Sequence, residues 1–461
     1  MRKKLLKLTN QNPVSSPHEP GFDWSIRVGR RTRWRVLLLR FVAITLFSTG
    51  VIRFGRAFIA GFSYPPQGDF AATWPTYWAW RINPEFILQN EIVLQWDASR
   101  SHELWSYGPV LHFIGYPLLY LKSFQTAFNI WLIATALWLI GSMAIWYKIL
   151  IIHRRKHFVA HFMLFASIWL NFMPTTEVLT LRVIEGGELF ALSLAFLFLS
   201  RDQSYRSGFF FGVATMTKFL PAIFLPLLVV KRRWRTLIVA VVTIGVLAIV
   251  AQVTLGWENS MLVRLPPVGM ANSYIDNQAI NGWIARFFTH QGPSDVASGI
   301  PAVYAPQTAQ LVSRLIIFSI LSSYAILFYV RRRSMDVYLA AAILSVIMIS
   351  VIQQNHPHYL IFLLVPYSIC FAEVLNWGEH SRPQRIGWAA VVTLSYALTG
   401  ILFPVSLVNK FINGFIALWE FYSVPVYGYL ILLGALTYRL LQKSAVTSRE
   451  TIPASTEIAV A

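Results

Sequence analysis

The residue best suited to proton transfer in this sequence is an aspartate in a long polar segment. Asp69 follows Gly68 in the segment 64–109, directly after the first long apolar run. The segment is acidic overall and rich in Trp and Tyr, which concentrate where a bilayer meets water. A carboxylate partly shielded from water can act as a general base on a hydroxyl group. Asp69 is therefore the candidate base. Asp97 has the same chemistry, and a solvated acid or a helix N-cap is the alternative for both.

A lysine in the middle of an apolar run is the second candidate. Lys218 and Pro221 lie within the run 208–230, which is bounded by Arg206 and by the basic cluster 231–235. Both ends of the run are thus predicted to face the cytoplasm, so we expect a helical hairpin broken within the membrane, with its apex at Lys218 and Pro221. Such a lysine fits an anionic partner such as a polyisoprenyl phosphate. A lysine that extends to the interface is the alternative.

Two histidines flank a proline at the predicted outer end of another apolar run. His356 and His358 lie on either side of Pro357, and Tyr359 follows. Alternate histidines can bind phosphate, transfer a proton or ligate a metal. No third ligand has a suitable spacing, so we predict no metal site. Hydrogen bonding to a phosphate or a sugar is the favoured interpretation, and a structural histidine pair is the alternative.

The second long polar segment, 256–307, supplies further cations and amides. Arg264 and Arg286 are candidates for phosphate binding, and Asn277 and Gln278 precede Arg286 closely. Amides beside arginine suit sugars and phosphates, which carry many oxygen atoms. Ordinary loops contain the same residues, and this alternative stays open.

Composition identifies the class of protein. The chain has 461 residues, of which 56% are hydrophobic and 13% charged, against about 25% charged in an average soluble protein. Its net charge of +19 comes from basic clusters between apolar runs, as expected for cytoplasmic loops of a membrane protein, and therefore does not indicate nucleic-acid binding. The single cysteine, Cys370, excludes an intrachain disulfide. No phosphate-binding loop motif is present, which argues against a nucleotide-driven pump.

The apolar runs predict an all-α polytopic membrane protein. Since a span needs about 20 apolar residues, we expect about twelve membrane helices when both hairpin arms are counted. Residues 1–35 are predicted to be a basic cytoplasmic tail and 442–461 a disordered cytoplasmic tail. Between them, 36–441 forms one membrane domain with helical outer loops at 61–125 and 256–307. Within the first loop, 109–121 is predicted to be a short helix dipping into the outer leaflet.

Several short motifs together resemble glycosyltransferase family 87. They are Gly68-Asp69-Phe70, Tyr107-Gly108-Pro109, the run 212–221 that contains Lys218, the segment 277–286, and His358-Tyr359. Members of this family are multi-spanning enzymes of glycosyltransferase type C architecture that depend on polyprenyl-phosphate sugars, and they include alpha-mannosyltransferases and an arabinofuranosyltransferase. The chain departs from the family where Glu185-Gly186-Gly187-Glu188 replaces a Gly-Gln-x-Asn signature, which leaves the acceptor and the sugar open.

The resemblance implies a reaction and roles for the candidate residues. It implies inverting transfer of a sugar, with mannose expected, from a polyprenyl-phosphate donor to a lipid-linked or cell-envelope glycan on the outer face of the plasma (inner) membrane. Asp69 would deprotonate the acceptor hydroxyl. Neither cofactor nor metal is expected, and the resemblance does not indicate an oligomeric state. From their chemistry, the residues expected to bind are, for the donor phosphate, Lys218, Arg264, Arg286, His356 and His358, and, for acceptor or sugar, Asp97, Asn277, Gln278 and Tyr359.

Two other functions are compatible with a polytopic chain of this kind. A lipid-linked glycan polymerase or ligase usually depends on an arginine and histidine pair in a large late outer loop, and the acid in the first loop argues against it. A lipid or sugar transporter would favour inverted repeats and paired intramembrane charges, and the sequence shows neither.

Overall fold

The computed structural model is all-helical in the part of the chain that it describes. The chain divides into two compact units, Met1–Val42 and Ala43–Ala461, and the contacts given below lie within the second. The described residues are 30–63, 109–121, 123–150, 158–255, 273, 277–289, 306–352, 355–376, 382–400, 418–419 and 421–450.

The helices of the first half follow the apolar runs closely. Short 3₁₀ helices, Tyr116–Tyr120 and Leu220–Phe224, interrupt the α-helices where proline residues occur. The α-helices are α1 Arg30–Ser63, α2 Pro109–Gly115, α3 Phe124–Ile149, α4 Phe158–Asn171, α5 Met173–Leu181, α6 Glu185–Leu199, α7 Ser204–Lys218, α8 Leu225–Val230 and α9 Trp234–Leu255. The predicted short helix at 109–121 is thus present as α2 and the 3₁₀ turn that follows it.

The second half continues the pattern with one more 3₁₀ helix, Pro357–Leu363. Its α-helices are α10 Ile280–Phe288, α11 Gln307–Val330, α12 Val337–Val351, α13 Leu364–Asn376, α14 Arg382–Gly400 and α15 Val424–Glu450. Helix α10 lies in the predicted second outer loop. Helix α15 extends into the predicted C-terminal tail, so 442–450 is helical where a disordered tail was predicted.

Several helices are long and apolar enough to cross a membrane. Within the described residues there are six such helices, or up to seven if the bent pair α4 and α5, which meet at 55°, forms one span. The chain is therefore a multi-pass membrane protein. The predicted total of about twelve includes shorter helices such as α6 and α7, each of 15 residues, and it stays a prediction.

Helices α3 and α6 lie side by side and run in the same direction. The Trp131 indole donates a hydrogen bond to the Arg182 carbonyl (2.9 Å), and further along both helices the Trp146 indole donates to the Ser193 hydroxyl (3.0 Å). Gly141 leaves room for the Phe190 ring between them, because a Cβ at this position would come within 2.7 Å of that ring. This parallel packing brings the start of α6 close to the start of α3.

Helices α7 and α9 are also parallel, which determines how the chain between them must run. A Cβ on Gly208 would lie 2.5 Å from the Thr236 carbonyl oxygen, and one on Gly212 would lie 2.6 Å from Thr243 Cβ. Since both helices run in the same direction and begin side by side, the segment between them must lead the chain from the end of α7 back to the level of its start. It does so after Phe219, whose φ of 60° is left-handed and ends α7. The chain therefore turns back after Lys218, as the predicted hairpin requires. That this turn lies within the membrane stays a prediction.

Helix α12 is the most enclosed element of the bundle. Every residue from Leu339 to Ser350 is buried, whereas most of α9 is exposed or half-buried, including Ile238, Val242 and Val253, which are exposed. A helix that is apolar all round is one that other helices surround. The histidine segment 355–363 comes next in the chain, and the Asn355 amide donates a hydrogen bond to the Ile349 carbonyl of α12 (3.0 Å). The segment thus begins beside this buried helix.

Candidate functional site

Lys218 is buried at the apex of the hairpin and is held by two partners from other parts of the chain. Its side chain is 4% exposed. The ammonium group donates hydrogen bonds to Glu185 Oε1 and, at 3.0 Å, to the Tyr359 hydroxyl. It also lies 4.7 Å from the centroid of the Tyr359 ring, within the range of a cation–π interaction. A lysine in an apolar bundle needs such compensation, because an isolated charge there is strongly unfavourable.

Glu185 is the carboxylate that connects the lysine with a histidine. It is the first residue of α6 and is fully buried, a position where the helix dipole favours negative charge. The same oxygen that accepts from Lys218 lies 3.5 Å from His358 Nε2. Its other oxygen, Oε2, has no hydrogen-bond partner in the described part of the chain.

The two histidines and the tyrosine stack on one another beside this ion pair. The ring centroids of His356 and His358 are 5.3 Å apart with planes 7° from parallel, and those of His358 and Tyr359 are 4.8 Å apart. Pro357 begins the 3₁₀ helix that carries His358 and Tyr359, and its restricted φ suits that position. Four residues that the sequence singled out (Lys218, His356, His358 and Tyr359) therefore lie in one place.

Sequence reasoning did not identify Glu185 as a site residue, although it noted that Glu185 departs from the family signature. One signal was available. A buried carboxylate and a buried lysine in separate apolar segments are each too costly alone, so pairing between them is expected. The sequence does not show which glutamate pairs with Lys218, because Glu188 lies in the same first turn of α6 as Glu185 and is also buried.

Arg286 belongs to a second buried polar group next to the first. Its guanidinium donates to the Asn277 carbonyl (2.9 Å) and to the Ser423 hydroxyl. Asn277 accepts from the backbone N–H of Asn355 (3.1 Å), and the Gln278 N–H donates to the Asn355 carbonyl (2.6 Å). Asn355 immediately precedes His356, so these bonds fasten the start of α10 to the histidine segment.

This second polar group contains both amides that were predicted to bind sugar and one of the arginines that were predicted to bind phosphate. Asn277 and Gln278 are fully buried and Arg286 is 5% exposed, and all three make hydrogen bonds to protein groups. Their positions next to His356 are compatible with a role near a substrate. Contact of Asn277 and Gln278 with a sugar, and of Arg286 with a phosphate, stays a prediction.

Three predicted site residues lie outside the described residues. They are the candidate base Asp69, together with Asp97 and Arg264. The chain re-enters the described part at α2, where Leu111 joins a small apolar cluster with Ala127, Phe128, Trp131 and Ile184. Leu111 of α2 therefore lies close to the start of α3 and to Ile184, the residue before Glu185.

The fold and this site together define a multi-pass membrane protein with an ionic cluster inside its helical bundle. The model of glycosyltransferase family 87 matches residues 105–353. The chain belongs to this family and is a glycosyltransferase, as its motifs predicted. The matched region contains Glu185, Lys218 and Arg286 and stops just before the histidine segment. A comparison with curated proteins found no match.

Proposed function

We propose that this glycosyltransferase moves mannose from a polyprenyl-phosphate donor to a lipid-linked or cell-envelope glycan on the outer face of the plasma membrane. Family membership supports the transfer of a sugar. The observation that carries the proposal is the ionic cluster of Lys218, Glu185, His358 and Tyr359 inside an apolar bundle. A buried cationic group among membrane helices suits a substrate whose anionic group is attached to a lipid chain.

The proposed chemistry is a direct displacement at the anomeric carbon. Asp69 accepts the proton of the acceptor hydroxyl, and the hydroxyl oxygen attacks the anomeric carbon from the face opposite the phosphate. The bond between that carbon and the phosphate oxygen breaks, and polyprenyl phosphate leaves with the electron pair. The configuration of the sugar is therefore inverted. Neither step calls for a cofactor.

Cationic and N–H groups are proposed to stabilise the departing phosphate. Glu185 keeps Lys218 charged and fixed in position, although it offsets part of the positive charge. His356 and His358 stack beside this pair and can supply ring N–H donors to phosphate oxygens. Arg264 and Arg286 remain proposed contributors. The proposed contacts for the sugar or the acceptor remain Asp97, Asn277, Gln278 and Tyr359, whose side chains can hydrogen-bond to hydroxyl groups.

We further propose the type C architecture with about twelve membrane helices and both termini in the cytoplasm. Two observations support this topology. Basic clusters predict that α3 and α6 both run toward the cytoplasm, and these helices are parallel. The same rule predicts that α7 and α9 both run outward, and they too are parallel.

The role of Asp69 can be tested by transfer assays on membranes with labelled polyprenyl-phosphate mannose. Asp69→Asn is expected to lower transfer by about 10²–10⁴-fold, the usual contribution of a general base, while expression and membrane insertion stay normal. Glu103→Gln, which removes another acid of the same segment, is the matched control and should keep its activity. Full activity of Asp69→Asn would exclude the proposed base.

The donor class needs a separate assay. Wild-type membranes should transfer label from polyprenyl-phosphate mannose, and transfer directly from a nucleotide sugar, with no lipid intermediate, would contradict the proposal. Lys218→Ala should raise the apparent KM for the lipid donor more than it lowers kcat. An unchanged KM in a correctly inserted variant would remove Lys218 from donor binding.

A further inference from the structure

Another buried cation, Arg182, lies close to the ionic cluster, and nothing in the described part of the chain neutralises it. Arg182 is fully buried. None of its three guanidinium nitrogens has a hydrogen-bond partner among the described residues, and it forms no ion pair there. This differs from Lys218, which is paired with Glu185. Buried arginines nearly always bind carboxylates, carbonyls or phosphates, because five N–H donors are otherwise left unsatisfied.

The surrounding chain fixes the position of Arg182 through its backbone. It ends α5 with a left-handed conformation (φ 54°, ψ 42°), which is uncommon for a residue other than glycine, asparagine or aspartate. The Trp131 indole N–H holds its carbonyl at 2.9 Å. Neither feature depends on the guanidinium, so the backbone is fixed here although no described residue balances the charge of the side chain.

An aromatic ring covers the face of the guanidinium. Its central carbon lies 3.4 Å from the centroid of the Phe128 ring, a stacked cation–π arrangement. Stacking leaves the N–H groups at the rim of the planar guanidinium, where they point away from the ring. That rim matches the oxygens of a phosphate, which can accept two parallel hydrogen bonds.

The location of Arg182 fits the phosphate of a lipid-linked sugar. It lies near the start of α3, at the end that the basic clusters predict to be the outer one, and three residues before Glu185. Glu185 Oε2, which has no hydrogen-bond partner among the described residues, can accept a hydrogen bond from a hydroxyl group. A sugar phosphate presents an anion and hydroxyl donors together, whereas a simple phosphate presents only the first.

We propose that Arg182 binds the phosphate group of the lipid-linked sugar donor and of the polyprenyl phosphate that leaves. This inference rests on the proposed function and adds to it a residue that the family motifs did not indicate. The apolar cluster around Arg182 (Leu111, Ala127, Phe128, Trp131 and Ile184) is small and separate from the main core. Local opening of this cluster would admit the phosphate, since small clusters open more readily than a core.

The test measures the binding of undecaprenyl phosphate to the full-length purified protein, by affinity and by the shift in Tm on ligand addition. Arg182→Met should weaken affinity on the order of 10- to 100-fold, as expected for loss of a charge-assisted bidentate contact, and should lose most of the ligand-induced shift. Arg182→Lys should fall between the two, because it keeps the charge and loses the planar fork. Arg314→Gln, at an exposed arginine of α11, should behave as wild type.

The ligand-free Tm distinguishes a binding role from a structural one. If the guanidinium awaits a ligand, replacing it with an apolar side chain of similar length should leave the ligand-free Tm unchanged or raise it. A lower ligand-free Tm together with an unchanged ligand shift would overturn the inference. Should Arg182→Met not fold, an Arg182→Lys variant with wild-type affinity would overturn it as well.

The choice of ligands separates this inference from the proposed function. Undecaprenol, which lacks the phosphate, should not bind in an Arg182-dependent way. Equal dependence on Arg182 for phosphatidic acid would indicate a general phospholipid site and overturn the donor assignment. If wild type fails to bind undecaprenyl phosphate, the proposed function and this inference both fail. If wild type binds and Arg182→Met binds equally well, only this inference fails.

Discussion

Two ion pairs in the molecule have the same chemistry and opposite surroundings. Lys218 and Glu185 are 4% and 0% exposed, whereas Arg233 and Asp202 are 45% and 74% exposed with a nitrogen-to-oxygen distance of 2.6 Å. The exposed pair joins two short turns and is screened by water and salt. The buried pair joins the apex of the hairpin to the start of α6. Only the buried pair can therefore carry a large share of local stability and determine the position of a functional group.

The largest expected effect follows from removing the buried carboxylate. Glu185→Gln keeps the shape of the side chain but removes the negative charge beside Lys218. We expect the free energy of unfolding to fall by about 3–5 kcal/mol, the usual cost of breaking one side of a buried pair. Denaturant titration of the purified protein in detergent would measure this loss. A change below about 1 kcal/mol would place the pair in the same class as the exposed one.

A double variant tests whether the stability lost in Glu185→Gln comes from the uncompensated charge of Lys218. Glu185→Gln combined with Lys218→Met removes both charges from the bundle, and most of the lost stability should return, because apolar replacement of a buried pair is often neutral or stabilising. Transfer activity should not return. A double variant as unstable as Glu185→Gln alone would show that the loss does not come from an uncompensated lysine.

The hydroxyl of Tyr359 should contribute less to the free energy of unfolding than the carboxylate of Glu185. Tyr359→Phe removes the hydroxyl that accepts from Lys218 at 3.0 Å but keeps the ring beneath the ammonium group. We expect a loss of about 1–3 kcal/mol, typical of a hydrogen bond to a charged group. The same denaturant titration would measure it, and a loss equal to that of Glu185→Gln would contradict the ranking.

The exposed pair of Arg233 and Asp202 should contribute least to the free energy of unfolding. Arg233→Gln is expected to change the free energy of unfolding by about 0–1 kcal/mol, and the effect should shrink further at high salt. Transfer activity should be unaffected, since Arg233 lies at the other end of the hairpin from Lys218. A loss comparable to that of the buried pair would remove the distinction between the two environments.

Much of the positioning of Lys218 could be predicted from the sequence. Basic residues at both ends of one apolar run require a turn within it, and Pro221 indicates where the turn lies. The histidine segment was found in the same way, because two histidines around Pro357 at the end of an apolar run are unusual. In each case one local pattern contained both the chemistry and the structural constraint.

Contacts between distant segments could not be predicted. Glu185 and Lys218 are far apart in the sequence, and only the parallel packing of α3 with α6 and of α7 with α9 determines where each lies. Arg286 follows amide residues closely, a pattern that suits ligand binding. Its hydrogen bonds to Asn277 and Ser423, however, depend on how α10 packs against the rest of the bundle. No local pattern in the sequence singled out Arg182. That its guanidinium lacks a hydrogen-bond partner among the described residues is seen only once the surrounding helices are placed.

The parallel contact of α7 with α9 has a consequence for the geometry of catalysis. Gly212 is held against Thr243, so the residues between Gly212 and Lys218 determine the depth and the direction of the ammonium group. One residue inserted there would turn Lys218 by about 100° and advance it by about 1.5 Å along the helix axis. Its charge would then face a different side of the bundle, although every other residue of the chain would be unchanged.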